Sequence, residues 1–262
     1  MIHLFALCVL VVWAYMSLWY IAALVKKDNG IADVAWGLGF VLVAWFLLLY
    51  DTTLTLRQLA ISICISVWAV RLSGYIYRRN SVKKTEDFRY AAWRKDWGKN
   101  WIWRSYLQVF MLQGFFMLII ALPVVVAAAD TAFTPWNIFN LIGLGVFAFG
   151  FLFEAIADYQ LALFKLKPEN KGGIMTTGLW RYSRHPNYFG EAVLWWGIFM
   201  MALPLPYWYV ALLSPLTLTW LLTRVSGVPM LEKKYAGNTQ FEDYARQTSA
   251  FFPMPPVKRA NL

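Results

Sequence analysis

Long apolar segments separated by short polar ones run through most of the 262-residue chain. A helix needs about 20 mostly apolar residues to cross the hydrocarbon core of a bilayer, and seven segments meet or approach that length. The pattern therefore predicts an all-α, polytopic integral membrane protein with seven transmembrane helices, in one membrane-embedded domain over residues 1–262. The predicted spans are residues 4–25, 33–50, 55–77, 106–129, 135–157, 188–204 and 207–224.

Two span boundaries carry additional information. The first apolar run, from Leu4 to Val25, is too long for the core of a signal peptide and lacks a basic start. We therefore interpret it as a retained span. The last two spans are separated by Pro204-Leu205-Pro206. Because proline prevents a helix from continuing, we expect a tight hairpin there.

The composition also indicates a membrane protein. Hydrophobic residues make up 60% of the chain and the mean hydropathy is +0.50, whereas a soluble domain is about 45–50% apolar. The formal net charge of +10 is typical either of nucleic-acid binding or of basic loops at the cytoplasmic membrane face. Cys8 and Cys64 lie in apolar runs and the two histidines are far apart, so we predict no metal site.

The placement of the charges distinguishes these alternatives. Basic residues gather after the first, third, fifth and seventh spans, which all end on the same side of a seven-span arrangement. The opposite side carries only Asp51, Arg57 and Asp130. Lys/Arg bias sets membrane orientation, so we expect an extracytoplasmic N-terminus, a cytoplasmic C-terminus and no nucleic-acid partner. The bases are Lys26, Lys27, Arg78, Arg79, Lys83, Lys84, Arg89, Arg94, Lys95, Lys99, Arg104, Lys165, Lys167, Lys171, Arg181, Arg184, Lys233, Lys234, Arg246, Lys258 and Arg259.

Acidic residues are also predicted at the cytoplasmic ends of the spans. The Lys/Arg bias that sets membrane orientation explains the bases there but not these acids. Ionisable groups near spans are costly and are functional candidates. Glu154 and Asp158 are four residues apart and so share one helical face, although a solvated helix end has the same pattern. Asp33, Glu191 and Arg71 belong to the same level. Together they predict a polar cavity, open to the cytoplasm, for a phosphate-bearing cofactor.

The longest predicted loop follows the third span and holds the bases from Arg78 to Arg104; within it, the stretch from Glu86 to Arg104 mixes acids, bases and tryptophans. This stretch either lies on anionic lipid headgroups or covers the cofactor as a lid, with Arg89 or Arg94 on phosphate. Arg89 and Tyr90 are the better candidates for contact. Trp36, Trp93, Trp97, Trp101 and Trp103 are predicted to anchor the chain at the interface or line the cavity. Neither a glycine-rich dinucleotide motif after a strand nor a P-loop motif is present.

Residues 184–191, Arg-His-Pro-Asn-Tyr-Phe-Gly-Glu, look like the C-terminal signature of membrane steroid 5-alpha-reductases and their bacterial relatives, the domain of unknown function 1295 family. RHPxY by itself also occurs in isoprenylcysteine carboxyl methyltransferases and phospholipid methyltransferases. The similarity extends over most of the chain. It includes residues 33–40, 71–72, 86–90, 154 with 158, 231–234 and 241–253.

The resemblance implies a seven-span reductase that uses NADPH. It places Asn187 and Glu191 on the cofactor, with Glu191 holding the nicotinamide amide, and Asp158 and Lys165 on the nucleotide. Tyr75, followed three residues later by Arg78, matches a tyrosine that donates a proton to the substrate carbonyl. The steroid enzymes also carry a Gln-Glu pair on the second span, which this sequence lacks; Asp33 is the nearest acid and the second catalytic candidate.

The full set of candidate cofactor residues combines the signature with the basic loops. His185 is expected to contact cofactor or support the loop rather than act as a general base. Pro186 suits the first turn of the sixth span. The candidates are Asn187, Glu191, Asp158, Lys165, Arg184, His185, Tyr182, Glu154, Arg78, Arg89, Tyr90, Arg224 and Tyr188.

The predicted activity is NADPH-dependent hydride transfer to the C=C bond of an α,β-unsaturated carbonyl in a lipid-like substrate, such as a steroid. Two alternatives stay open. One is an S-adenosylmethionine-dependent membrane methyltransferase, and the other is a non-enzymatic lipid-binding or transport protein. The resemblance suggests the bacterial inner membrane, with the cofactor site facing the cytoplasm. Membrane lipids are expected partners, and the oligomeric state, a monomer included, stays open.

Overall fold

The computed structural model describes residues 1–50, 54–83, 85–132 and 134–257. Asp51, Lys84, Lys258 and Arg259, whose charges entered the predicted orientation, lie outside the described residues, as does the side chain of Lys83. Within the described residues the chain is helical and contains no strand. The helices are α1 (Ile2–Lys26), α2 (Ile31–Tyr50), α3 (Leu56–Lys83), α4 (Phe88–Trp97), α5 (Trp101–Ser105), α6 (Leu112–Ile120), α7 (Leu122–Ala128), α8 (Ile138–Leu166), α9 (Pro186–Ala202), α10 (Trp208–Ala211), α11 (Leu213–Trp220), α12 (Val228–Lys234) and α13 (Thr239–Gln247).

Six helical segments in the described part of the chain are long and apolar enough to cross a membrane. The sixth predicted span instead forms α9, which is 17 residues long. The all-α class and the apolar helices of membrane-spanning length are therefore confirmed. A seventh span and the orientation of the termini stay predictions. The six segments are Ile2–Lys26, Ile31–Tyr50, Leu56–Ser81, Phe88–Ile120, Ile138–Leu166 and Trp208–Lys234.

The expectation of a long loop over residues 78–104 is wrong. Helix α3 continues to Lys83, and α4 begins shortly afterwards at Phe88. Asp87 is the N-cap of α4, because its side chain accepts a hydrogen bond from the backbone N–H of Arg89 at 3.1 Å. This cap lets a charged, aromatic stretch become helical, and helical segments then follow one another to Ile120.

The described chain divides into two compact units. The first consists of Met1–Asn137 with Ala202–Ser214, and the second of Ile138–Met201 with Pro215–Leu262. A single domain over residues 1–262 stays a prediction.

In the first unit, α2 and α3 pack closely at a glycine. A Cβ atom added to Gly37 would lie 2.4 Å from the Ser73 hydroxyl oxygen, which itself donates to the Val34 carbonyl at 3.0 Å. Phe40 and Trp68, both almost fully buried, meet edge to face at a ring distance of 5.6 Å. Small residues thus allow a close approach of the backbones, and aromatic rings fill the space beside it.

A buried ion pair closes the other end of the first unit. The Arg57 guanidinium lies 3.4 Å from the Asp130 carboxylate, and both side chains are at most 2% exposed. Arg57 also donates to the carbonyls of Thr134 and Pro135 at 3.2 and 2.9 Å. Both residues were predicted to lie on one membrane side, and their pairing explains how two charges are tolerated there.

In the second unit, glycines bring the backbones of α8 and α9 into contact. A Cβ atom on Gly150 would lie 2.4 Å from the Leu194 backbone nitrogen, and one on Gly190 would lie 2.5 Å from that of Glu154. About two helical turns further along, Gly143 and Gly197 form a similar close approach between the two backbones. Small residues at such positions let membrane helices approach closely, and here they place the acidic face of α8 beside the first turns of α9.

Candidate functional site

Three buried carboxylates lie on the paired helices of the second unit. Glu154 and Asp158 on α8 are 2% and 4% exposed, and Glu191 on α9 is 7% exposed. The Asn187 side-chain amide donates a hydrogen bond to Asp158 at 3.1 Å. The structure thus brings together Asn187 and Asp158, which were predicted from the family resemblance to contact the same cofactor.

These carboxylates define the chemistry that the second unit offers. An ionised carboxylate only accepts hydrogen bonds, and burying one is costly unless donors or opposite charges surround it. Because each carboxylate has about four acceptor sites, these groups can accept hydrogen bonds from the chain and also from a ligand rich in N–H and O–H donors, such as a carboxamide and ribose hydroxyls. The same arrangement would also bind a cationic group.

Arg184 and His185 form a different arrangement, centred on Glu232 of α12. The Arg184 guanidinium forms a bidentate ion pair with Glu232 at 2.8 and 3.1 Å, and the His185 ring nitrogen Nε2 lies 3.1 Å from the same carboxylate. Arg184 also donates to the backbone carbonyls of Ala245 and Thr248. The donors predicted to hold a cofactor are thus engaged by the protein itself.

The same stretch binds the C-terminal segment through its backbone. The Arg184 N–H donates to the Ser249 carbonyl at 2.8 Å, and the Met254 N–H donates to the Tyr182 carbonyl at 2.9 Å. The Ser183 hydroxyl donates to the Phe251 carbonyl. Together with the ion pair to Glu232, these bonds make residues 182–185 a clamp on the C-terminal segment, and we refer to them as the clamp below.

Tyr244 on α13 completes the clamp. Its hydroxyl donates to the backbone carbonyls of Trp180 and Ser183. Burial raises the pKa of Tyr244 above its ordinary value, with opposing smaller effects from Arg184 and Glu232, so the phenol stays protonated and remains a donor. Glu232 is the functional residue that residue-by-residue reasoning missed, although residues 231–234 belong to the matching segments.

The remaining candidates of the second unit lie nearer the surface. Lys165 on α8 and Arg224 are exposed, and Tyr182 is 42% exposed. Tyr188 is half-buried, and its ring stacks on His185 at a centroid distance of 5.5 Å. Arg224 lies in a π-helical turn, Leu221–Val225. Such turns are rare and frequently occur at functional sites.

The catalytic candidate Asp33 lies in the first unit, in the first turn of α2. Its carboxylate accepts a hydrogen bond from the Tyr90 hydroxyl at 2.5 Å and pairs with the Arg89 guanidinium at 2.6 Å. Tyr90 is only 2% exposed. The Gln113 amide donates to the Tyr90 hydroxyl at 3.3 Å. Gln113 was missed, although an amide within an apolar run is a signal that could have found it.

Arg89 is engaged with two carboxylates rather than one. Besides Asp33, it pairs with Asp87 at 2.9 Å. Burial alone would raise the pKa of Asp87, yet the hydrogen bonds and charge of Arg89 hold that pKa below its ordinary value. The guanidinium predicted to contact phosphate is therefore already neutralised by the chain. Tyr75 and Arg78 lie on α3, the first half-buried and the second exposed.

The predicted site residues thus fall into three groups. Asn187 and Asp158 are bonded to each other, and Arg184 and His185 share Glu232; both groups belong to the second unit. Asp33, Arg89 and Tyr90 form the third group, in the first unit. Within the described ranges, no set of three His, Cys, Asp or Glu side chains could hold a metal ion.

The chain belongs to the family whose model is described as "Protein of unknown function (DUF1295)", which matches residues 18–248. The resemblance to that family is therefore confirmed. A relative named "Uncharacterized protein C594.04c", from Schizosaccharomyces pombe, is 28% identical over 159 residues. The match covers 52% of this chain and 45% of the relative, so the chain spans less than half of that protein's length. No solved structure matches the chain.

Proposed function

We propose that this protein is an NADPH-dependent membrane reductase that transfers hydride to the C=C bond of an α,β-unsaturated carbonyl in a lipid-like substrate, with a steroid as one example. Membership of the DUF1295 family supports this proposal, because the matching segments resemble those of steroid 5-alpha-reductases. The proposal includes seven spans, a cytoplasmic cofactor site and a bacterial inner membrane.

The observation that carries the proposal is the buried acceptor cluster of the second unit. Glu154, Asp158 and Glu191 are all less than 10% exposed, and Asn187 is bonded to Asp158. Such a set would accept hydrogen bonds from the carboxamide of a nicotinamide and from ribose hydroxyls. Its position on two helices in backbone contact makes the cluster rigid, as a binding site requires.

The phosphate groups of NADPH need cationic side chains, and some of the predicted basic residues have other partners. Arg184 and Arg89 are engaged by internal carboxylates, so we do not assign them to phosphate. The exposed Arg224, and Lys165, which the family resemblance implies, are the proposed sources of positive charge. The residues present therefore fit the cofactor, with a smaller basic set than the sequence suggests.

The substrate chemistry requires a hydrogen-bond donor for the carbonyl oxygen. When bound, NADPH would supply the hydride to the β-carbon, and the electron pair of the C=C bond would move toward that oxygen. A phenol hydrogen-bonded there would stabilise the developing enolate and give it a proton. The Tyr90 hydroxyl donates to Asp33. Tyr75, which the family resemblance implies, is the proposed donor.

An S-adenosylmethionine-dependent methyltransferase is the second candidate function, because the acceptor cluster would also bind a cationic cofactor. In that function, Arg184 and His185 would hold the cofactor carboxylate, yet Glu232 already occupies both. This contact favours the reductase. Among the described residues, no specific observation favours a non-enzymatic lipid-binding protein.

A binding experiment in detergent tests the proposal. The purified protein is heated with NADPH or with S-adenosylmethionine, and the unfolding temperature is measured. A ligand that binds only the folded state at a hundred times its Kd stabilises by about 2.7 kcal/mol. We expect NADPH alone to stabilise, and Glu191→Gln and Asn187→Ala to reduce the shift. Stabilisation by S-adenosylmethionine alone would overturn the proposal.

A turnover experiment tests the proposed proton donor. With a 3-oxo-4-ene steroid as probe substrate, Tyr75→Phe is expected to lower turnover and leave the NADPH shift unchanged. Tyr77→Phe is the matched control, because Tyr77 lies on the same helix and is 60% exposed. Full turnover of Tyr75→Phe on a reduced substrate would remove Tyr75 from the mechanism.

A further inference from the structure

Two arginines near the start of the fourth membrane-length segment have similar aromatic partners but different counter-charges. The Arg94 guanidinium lies over the Trp101 ring at 4.2 Å, and that of Arg104 lies over the Trp103 ring at 5.4 Å. Arg94 is also bidentate to Glu86, at 3.1 and 2.7 Å. Arg104 has no ion pair among the described residues, and its buried Nε atom has no hydrogen-bond partner there.

The acidic residues near this segment form ion pairs with arginines other than Arg104. Glu86 binds Arg94 and also accepts from the Asn29 backbone N–H at 2.8 Å, while Asp33 and Asp87 both pair with Arg89. The exposed Asp96 is the remaining acid within residues 88–104. Against it stand three bases: the exposed Lys95 and Lys99 and the half-buried Arg104. The surface of residues 95–104 is therefore net positive.

The same surface is apolar and aromatic. Ile102 and Trp103 are each 50% exposed, and the indole N–H of Trp103 donates to the Asn100 side chain at 3.2 Å. Tryptophan, whose amphipathic ring can keep its polar edge in water, is enriched where membrane helices meet lipid headgroups. Residues 88–120 form one helical segment of membrane-spanning length and composition, so this surface continues directly into a helix that would lie in lipid.

We propose that Lys99, Trp103 and Arg104, with Lys95 beside them, bind the phosphodiester of an anionic phospholipid. Arg104 and Lys99 would contact the phosphate, and Trp103 and Ile102 would pack against the upper acyl chains. A half-buried guanidinium without a carboxylate partner among the described residues suits such an anion. This site is independent of the proposed reductase function.

Lipid binding is measured on the whole protein in nanodiscs that contain phosphatidylcholine with increasing phosphatidylglycerol, by counting retained lipids with native mass spectrometry. Each base near an anionic surface contributes about a fivefold factor. We therefore expect the wild type to prefer phosphatidylglycerol by about tenfold or more, and less so at high salt. K99Q/R104Q should lose most of this preference.

Two further variants keep the result interpretable. K95Q/K99Q changes only exposed side chains, so it should fold normally and lose part of the preference. K167Q/K171Q, in the second unit, removes the same charge from exposed positions and should keep the preference. An unchanged preference in K99Q/R104Q, or an equal loss in K167Q/K171Q, overturns the site.

The alternative occupant is a free phosphate compound. Adenosine 2′,5′-bisphosphate is therefore added to nanodiscs with and without phosphatidylglycerol. We expect no displacement of the lipid. Displacement that is abolished by K99Q/R104Q would show a nucleotide site instead and would overturn the lipid proposal.

Discussion

The two halves of the stretch from Tyr182 to Glu191 differ in what they contact. The first half, the clamp, directs Arg184 and His185 at Glu232, and Arg184 also donates to carbonyls of the C-terminal segment. The second half is the start of α9, and Asn187 there faces Asp158 of α8. Proline at position 186 separates the halves, since it begins the helix. A single sequence signature can therefore contain a structural contact and a candidate binding site side by side.

The largest expected effect comes from breaking the clamp. Glu232→Ala leaves Arg184 and His185 without their shared carboxylate, and both are at most about one-tenth exposed. Removing one partner of a buried pair costs about 3 kcal/mol, so we expect a clear drop in thermal stability and early proteolysis of the C-terminal segment. Glu242→Ala, at an exposed position of α13, is the control. Equal stability of the two variants would show that the clamp does not hold this segment.

The next effect comes from separating α8 and α9. Gly150→Ala places a methyl group 2.4 Å from the Leu194 backbone nitrogen, and overpacking of this kind costs about 1–3 kcal/mol. Gly145→Ala is the matched control, because its Cβ would meet nothing within 4 Å and alanine is about 0.5–1 kcal/mol better than glycine in a helix. We expect unfolding measurements to show opposite signs. Stabilisation by both changes would contradict the close contact.

Asn187→Ala tests the second half of the stretch. The loss of one hydrogen bond to Asp158 should cost about 1 kcal/mol of stability. Under the proposed function, however, the variant should lose most of the thermal shift caused by NADPH. Thermal unfolding with and without NADPH measures both quantities. An unchanged ligand shift would remove Asn187 from the binding site while leaving its structural bond intact.

Tyr244→Phe is the corresponding small change in the clamp. It removes the hydroxyl that donates to the Trp180 and Ser183 carbonyls, at a cost of about 1 kcal/mol. Because the ring remains, the NADPH shift should stay as in the wild type. The comparison with Asn187→Ala is therefore sharp: similar stability losses with different ligand responses. If Tyr244→Phe lost the increase in unfolding temperature caused by NADPH, the clamp would be part of the binding site.

Several features of the site were predictable from local patterns. The four-residue spacing of Glu154 and Asp158 places both on one face of α8, and both are buried. The helix start at Pro186 follows from the fixed backbone angle of proline. The family resemblance placed Asn187 and Asp158 on the same cofactor, and the structure shows a hydrogen bond between their side chains. The loop expected over residues 78–104 was wrong, because charge was weighted more than the capping signal of Asp87.

The partners of the charged residues could not be predicted in this way. Arg57 and Asp130 are 73 residues apart, and Arg184 and Glu232 are 48 apart. Nothing in local spacing distinguishes an arginine that pairs internally from one that binds a ligand. Arg94 and Arg104 illustrate the point, since both lie over a tryptophan and, among the described residues, only Arg94 pairs with a carboxylate.

The sequence by itself determined the helical class, the apolar segments of membrane-spanning length and the family, because these depend on composition and on residues near one another in the chain. The tertiary structure decided which polar groups are already satisfied. It assigned Arg184 and His185 to Glu232, and Arg89 to Asp33 and Asp87. The physical reason is that a buried charge requires a counter-charge in space, and only the packing of distant helices determines which residue supplies it.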